Sequence, residues 1–258
     1  MSKRKFESSC EEEKKDVKRV LVKPPHLFPP NYTIDNTWVA ASKTRNFLMK
    51  DPILDWFDHQ VSHGNGGGRF RPRDDFLQFI FTQGNEFEKA VMKILYRDFP
   101  NSIREISTYQ QVRTHLKAIE TYEAMVEGVP FIYQGVLHDP ELKTVGMPDL
   151  LVRSDFLKFF IRDCPYEEKD EMIEAPYISD KYHYVVVDIK FSTLHLKADG
   201  KHILNSNSIP AYKSQVYIYN RALGLIQGYT PPCAFLLGKK WEYTKKGEKR
   251  RGTSCFDK

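Results

Sequence analysis

Cysteine is scarce in this chain: four occur in 258 residues, at Cys10, Cys164, Cys233 and Cys255. No two form a C-x-x-C pair, which disfavours a zinc finger or ribbon and any disulfide framework. Scattered single cysteines suit a reducing, intracellular compartment. The eight histidines, among them His59, His63, His183, His195 and His202, form no H-E-x-x-H pattern, so no zinc is expected. His183, beside an apolar run, reads as a packed or edge histidine. No apolar run approaches the roughly 18–20 residues of a membrane span, so no membrane partner is expected. The N-terminus, MSKRKFESSCEEEKKDVKRV, has no apolar segment of the kind a signal peptide needs. The run HGNGGG, ending at Gly68, lacks the Lys-Ser/Thr of a phosphate-binding loop. There is no internal repeat.

Charge is present in quantity but unevenly placed. The formal net charge is +5, yet residues 1–23 hold eight Lys/Arg against five Asp/Glu, and residues 239–258 hold eight against three. The middle, 24–238, is therefore slightly acidic, with 23 basic and 26 acidic side chains. Within it, 163–180 (DCPYEEKDEMIEAPYISD) carries seven acids and one Lys and reads as an acidic insert. Charged chain ends read first as solvated arms or addresses. Lys3-Arg4-Lys5 with Lys14-Lys15-x-x-Lys18-Arg19 has the spacing of a bipartite nuclear address, so the expected location is the nucleus or otherwise the cytoplasm.

Four segments follow. Residues 1–30 read as a disordered charged arm ending in PPHLFPP. Residues 31–83 read as a helical extension and a Gly/Arg loop. In that extension Trp38, Val39, Phe47, Leu48, Ile53, Leu54, Trp56 and Phe57 recur at helical spacing, and Asp51-Pro52 marks the start of a second helix. The loop SHGNGGGRFRPRDD carries Arg69, Arg71 and Arg73, candidates for phosphate contacts. Residues 84–240 read as the core and 241–258 as a basic tail. Residues 75–98 show a long amphipathic pattern with Phe87, Val91, Ile94 and Leu95 on one face. Phe76, Phe79, Phe81, Tyr96 and Phe99 have the spacing of core packing rather than of a base-stacking platform. A helix is expected over about 108–127, strands over 130–137 and 145–153 joined by a turn at His138-Asp139-Pro140, and a strand over 182–191, where three valines suit a buried central position. A Pro-led helix over 210–225 and a strand over 233–237 complete an α/β fold around a short mixed sheet.

Polar residues inside apolar strands are the anomaly. Asp149 interrupts VGMPDLLV, and Asp188 and Lys190 interrupt VVVDIKF. Strand alternation puts Asp188 and Lys190 on one face. Buried charges are costly unless paired or bound to a metal. One reading is an internal salt bridge from Lys190 to Asp188 or Asp149. The other is a hard divalent-cation site, with oxygen ligands from both aspartates, open positions for water and phosphate, and Lys190 alongside. Gly84-Asn85-Glu86-Phe87-Glu88 reads as the opening of the long helix, from which Glu88 can aim a third carboxylate at the sheet. Gln215 and Tyr219, four residues apart, share one face of the later helix.

Taken in order, G-x-x-F-E (Gly84 to Glu88), G-x-P-D (Gly146 to Asp149), D-x-K (Asp188 to Lys190) and Q-x-x-x-Y (Gln215 to Tyr219) resemble the PD-(D/E)XK nuclease superfamily, in its RecB-like and lambda exonuclease-like branch. The resemblance covers about 80–240 and extends more loosely to residue 37, where the chain is similar to predicted nucleases of large DNA viruses. Two features depart from the branch: Asp149 and Asp188 lie 39 residues apart, and the cysteines of its iron–sulfur members are missing, so no iron–sulfur cluster is expected.

The resemblance implies a restriction-endonuclease-like core, a central mixed sheet flanked by helices, with the N-terminal helical extension added. It implies Mg²⁺, with Mn²⁺ as a substitute, held by Asp149, Asp188 and the backbone carbonyl of Ile189, with Glu88 as a third carboxylate. Lys190 would position or activate the attacking water, and Gln215 and Tyr219 would support the site or contact DNA. The implied activity is hydrolysis of DNA phosphodiesters in viral or cellular DNA processing, recombination or repair. RNA remains open as a substrate, as does the oligomeric state. A helicase or recombinase would be a separate chain. The alternative is a catalytically inactive nucleic-acid-binding or assembly module that retains the fold.

Overall fold

The computed structural model describes residues 22–62, 75–161, 164 and 166–252. Arg69, Arg71, Arg73, His63, Cys10, Cys255 and the proposed nuclear address lie outside them. In chain order, β1 (Val39–Ala40) leads through a 3₁₀ turn (Ala41–Thr44) to α1 (Arg45–Leu48), α2 (Ile53–Ser62) and α3 (Asp75–Asp98). Next come β2 (Ile103–Glu105), α4 (His115–Val126), β3 (Phe131–Tyr133), β4 (Leu137–Asp139), β5 (Thr144–Gly146) and β6 (Leu150–Arg153). After the short helices α5 (Leu157–Phe160) and α6 (Glu168–Glu171), β7 (Tyr184–His195), α7 (Ile209–Gln227), β8 (Phe235–Lys245) and β9 (Glu248–Gly252) complete the fold.

The architecture is α/β, with mixed sheets flanked by helices. The larger sheet has the order β2-β3-β6-β7-β8-β9, and the smaller the order β1-β5-β4. In the larger sheet β2 and β3 are parallel, β6 is antiparallel to β3 and β7, and β8 runs parallel to β7. Alternation along β7 explains why three consecutive valines stand at its centre. Val185 and Val187 join Val91, Met92 and Leu95 of α3 in one core, while Val186 and Tyr184 join α4 and α7 in the other. All three valines are fully buried, each stabilising the fold by about 1.5–3 kcal/mol. Gln227, buried at the end of α7, accepts the Tyr184 N–H and donates to the Tyr184 carbonyl, fastening that helix to the first residue of β7. Arg221 of α7 binds Asp139 at 2.6 Å and pairs with Glu141, which anchors the β4–β5 hairpin.

Several sequence expectations need correction. The run 130–137 is not one strand. Gln134 adopts φ 52°, and the chain leaves the large sheet after Tyr133 to enter the small one at Leu137. The run 145–153 likewise breaks at Met147-Pro148-Asp149 into β5 and β6. The segment expected as a tail from 241 instead carries the outer half of β8 and the whole of β9 up to Gly252. The expected arm ends early, because Leu27 is fully buried in the main core with Phe28 packed against it. Gly84 does not open α3 but sits well inside it. Phe79, Phe81 and Tyr96 are exposed rather than in the core, as are Phe47, Ile53, Leu54, Trp56 and Phe57 of the extension. Phe99 does pack inward, 4.9 Å from the Phe131 ring centroid. His183 is buried as expected, its Nδ1 within 3.0 Å of the Ile173 carbonyl oxygen.

Candidate active site

The site forms where β6 and β7 lie side by side. Leu150 pairs with Val187, so Asp149, one residue before β6, stands beside Asp188 within β7. The two aspartates are locked together through the backbone, since the Ile189 N–H donates to Asp149 Oδ2 at 2.6 Å. Asp188 and Lys190 share the α7 face of β7, as strand alternation requires. Lys190 Nζ lies 2.5 Å from Asp188 Oδ2, with the carboxylate 1% exposed and the lysine side chain 18% exposed. The Lys190 ammonium also lies 5.5 Å from the centre of the Tyr212 ring.

The electrostatics follow from that crowding. Burial pushes the Asp149 carboxyl well above the usual carboxylate range, and the negative charges of Asp188 and Glu88 push it in the same direction. Burial alone would lower Lys190, but Asp188 and Asp149 outweigh it and hold the ammonium above its ordinary value. Of the two sequence alternatives, the internal salt bridge is present, from Lys190 to Asp188. Beside it stands a second carboxylate whose ionisation that pair does not fully compensate.

Glu88 reaches the site from α3, held by neighbours that sequence reasoning missed. Tyr133 Oη donates to Glu88 Oε1 at 2.8 Å, and Gln134 Nε2 lies 3.4 Å from the same oxygen. Gln134 also donates its backbone N–H to the Asp149 carbonyl at 3.0 Å. One residue therefore ties the helix carboxylate to the main chain of Asp149. It does so from a left-handed backbone conformation, which costs a non-glycine residue about 1–3 kcal/mol and is a recurrent feature of functional sites. The available signal was a polar pair, Tyr133-Gln134, at the end of an apolar strand.

Gln215 and Tyr219 meet as their spacing predicts, with Gln215 Nε2 donating to Tyr219 Oη at 2.8 Å. Tyr219 is 5% exposed, so it braces the site from beneath rather than meeting a macromolecule. Its ring lies directly on Gly146, where a Cβ would stand 2.4 Å from the ring carbons. Gly146 and Tyr219, which belong to two separate motifs, are therefore one contact. Burial raises the Tyr219 hydroxyl far above its ordinary value, and Asp188 adds to that effect.

Among the described residues, no group of three or more His, Cys, Asp or Glu side chains is gathered closely enough to hold a metal ion. His59, spaced H-x-x-x-H with His63, is exposed on α2. No described helix is long and apolar enough to cross a membrane. The chain matches no protein-family model, and no curated protein matches it.

Proposed function

We propose that the chain is a metal-dependent nuclease of the PD-(D/E)XK superfamily, in its RecB-like and lambda exonuclease-like branch, with a restriction-endonuclease-like core. It hydrolyses DNA phosphodiester bonds in viral or cellular DNA processing, recombination or repair. One observation carries this reading: Asp149 and Asp188 are held together beside Lys190 although burial and mutual repulsion oppose the ionisation of Asp149. A divalent cation would relieve that opposition.

The oxygen-only donor set fits Mg²⁺, which keeps several waters and needs only one or two carboxylates, with Mn²⁺ as a substitute. Asp149, Asp188 and the Ile189 carbonyl would hold it, and neither zinc nor an iron–sulfur cluster is required. When bound, the ion screens the phosphate and makes a bound water more acidic. Lys190, steadied by Asp188, keeps a positive charge where it orients the attacking water and offsets charge developing on the phosphate oxygens. Tyr133 and Gln134 hold Glu88 as the third carboxylate. Gln215 and Tyr219 keep the strand ends in place. The partner is DNA, and any motor, a helicase or recombinase, is a separate chain. The site of action is the nucleus or cytoplasm.

The test is Mg²⁺-dependent degradation of linear, nicked and closed circular DNA by the unaltered chain, Asp188→Ala and Lys190→Ala. A loss of roughly 10²-fold or more is expected in both variants. Full activity in either one removes the assignment. Loss of linear DNA alone identifies an exonuclease.

A second reading, a catalytically inactive nucleic-acid-binding or assembly module, draws on the engagement of Glu88 by Tyr133 and Gln134 and on the lack, among the described residues, of a preassembled three-ligand group. Mn²⁺ titration separates the two. Affinity that collapses in Asp149→Asn supports the enzyme, and unchanged affinity supports the module.

A further inference from the structure

We propose that the β8–β9 hairpin is a phosphate-backbone binding ribbon for duplex nucleic acid, an inference that rests on the nuclease reading above and names how that site is loaded. Between Lys239 and Gly252, seven of 14 residues are Lys or Arg and two are Glu. The residues from 24 to 238, by contrast, hold more acidic than basic side chains. The basic stretch is built into the catalytic sheet. β8 runs parallel to β7, Asp188 is in register with Leu236, and Lys190 with Gly238. The cationic run begins at the next residue and leads outward from the site.

The charges are not consumed internally. Lys249 pairs with Glu242 at 2.8 Å, and Arg250 lies 3.7 Å from Glu248. Among the described residues, Lys240, Lys245, Lys246 and Arg251 have no acidic partner, and all four are exposed. Lys239, nearest the site, lies 3.8 Å above the Phe191 ring.

The ribbon is also stiff, which limits the entropy lost on binding. Lys246 and Gly247 have φ values of 50° and 82°, the two left-handed residues of a tight type I′ turn. Trp241 stacks with Tyr243 at 5.8 Å and lies on Gly252, where a Cβ would fall 2.2 Å from its indole nitrogen. Successive strand side chains alternate between faces. Arg251 is in register with Glu242 and Lys249 with Thr244, so Lys240, Lys249 and Arg251 share one face of the ribbon, and Lys246 stands at its turn. Phosphate contacts position a duplex without reading its sequence.

Charge on an edge strand also prevents pairing with other chains, and the experiment separates that role from binding. Affinity for a fluorescein-labelled 30-base-pair duplex is measured in EDTA across a KCl series. Three proteins are compared: the unaltered chain, a ribbon variant (Lys240→Gln, Lys246→Gln, Arg251→Gln) and a control variant that loses equal charge elsewhere (Lys93→Gln, Lys143→Gln, Lys181→Gln). Thermal unfolding of all three verifies the fold. Each phosphate contact contributes about 0.9 to the slope of log affinity against log salt. The ribbon variant should lose about two to three units of slope, and the control less than one. A ribbon loss below two units, or an equal loss in the control, overturns the ribbon while leaving the nuclease reading intact. An unaltered chain that binds neither the duplex nor its single strands overturns both.

Discussion

Gly146→Ala is the most exacting test of how the site is assembled. Gly146 closes β5, and Tyr219 lies in the middle of α7. An added methyl would stand 2.4 Å from both Cδ1 and Cε1 of the Tyr219 ring. Non-bonded carbons settle at about 3.5–4.0 Å, so the ring or the strand must yield by about 1–1.5 Å. Tyr219 is packed into the main core and cannot swing into solvent. Overpacking of this kind costs about 1–3 kcal/mol. At roughly 2–4 °C per kcal/mol for a chain of this size, Tm should fall by about 2–12 °C. The displacement also disturbs the Gln215–Tyr219 hydrogen bond and the Met147–Asp149 segment beneath the carboxylates. Mn²⁺ affinity should therefore fall further than a remote destabilisation would make it fall. The assay is thermal unfolding with Mn²⁺ titration for Gly146→Ala, Tyr219→Leu and the double variant. The smaller leucine removes the clash, so the two changes should couple by about 1 kcal/mol or more. A Tm within a degree of the unaltered chain, or strictly additive effects, would refute the packing argument.

Two further predictions concern groups around this frame. His138 receives the Tyr32 hydroxyl at Nδ1 (2.9 Å) and lies 2.8 Å from the Val112 carbonyl through Nε2, and burial pushes its pKa down to about 4. Because the folded value lies below the ordinary 6.5, the unfolded chain binds the proton first. The stability is complete above about pH 6.5 and drains away as pH falls toward 4, a loss of roughly 3 kcal/mol at 1.36 kcal/mol per unit. Urea unfolding at pH 7 and pH 4 should show His138→Leu spared most of that loss, and identical losses in both proteins would sink the idea. Tyr133→Phe removes the 2.8 Å hydrogen bond to Glu88. At about 1 kcal/mol, the Mg²⁺ concentration for half-maximal DNA cleavage should rise about fivefold while Tm barely moves. An unchanged Mg²⁺ dependence would leave Tyr133 with no positioning role.

The candidate site was more legible in the sequence than the fold around it, and the reason is physical. A charge inside an apolar strand must be answered by something, so Asp149, Asp188 and Lys190 announced themselves by cost alone. The central strand was equally plain, because only a position buried on both faces accommodates Val185, Val186 and Val187 in succession. Periodicity, however, reports which face of an element is apolar and not whether anything covers it. Phe79 and Phe81 have the spacing of core residues and yet stand 56% and 55% exposed. Charge masked β9, since Glu248–Gly252 gains its strand character from pairing with β8 and not from β-forming side chains. Likewise, nothing local in PFIYQGVL marks Gln134 as the point where the chain changes sheets. That conformation is imposed by partners distant in sequence, through the Gln134 N–H on Asp149 and its amide on Glu88. Those contacts join α3, β3 and β6, and the Tyr219–Gly146 contact adds α7 and β5. The four weak motifs thus become one object only when long-range packing is known. Substitutions at Gly146 and Tyr133, which carry no charge, should therefore perturb cation binding as specifically as substitutions at the carboxylates themselves.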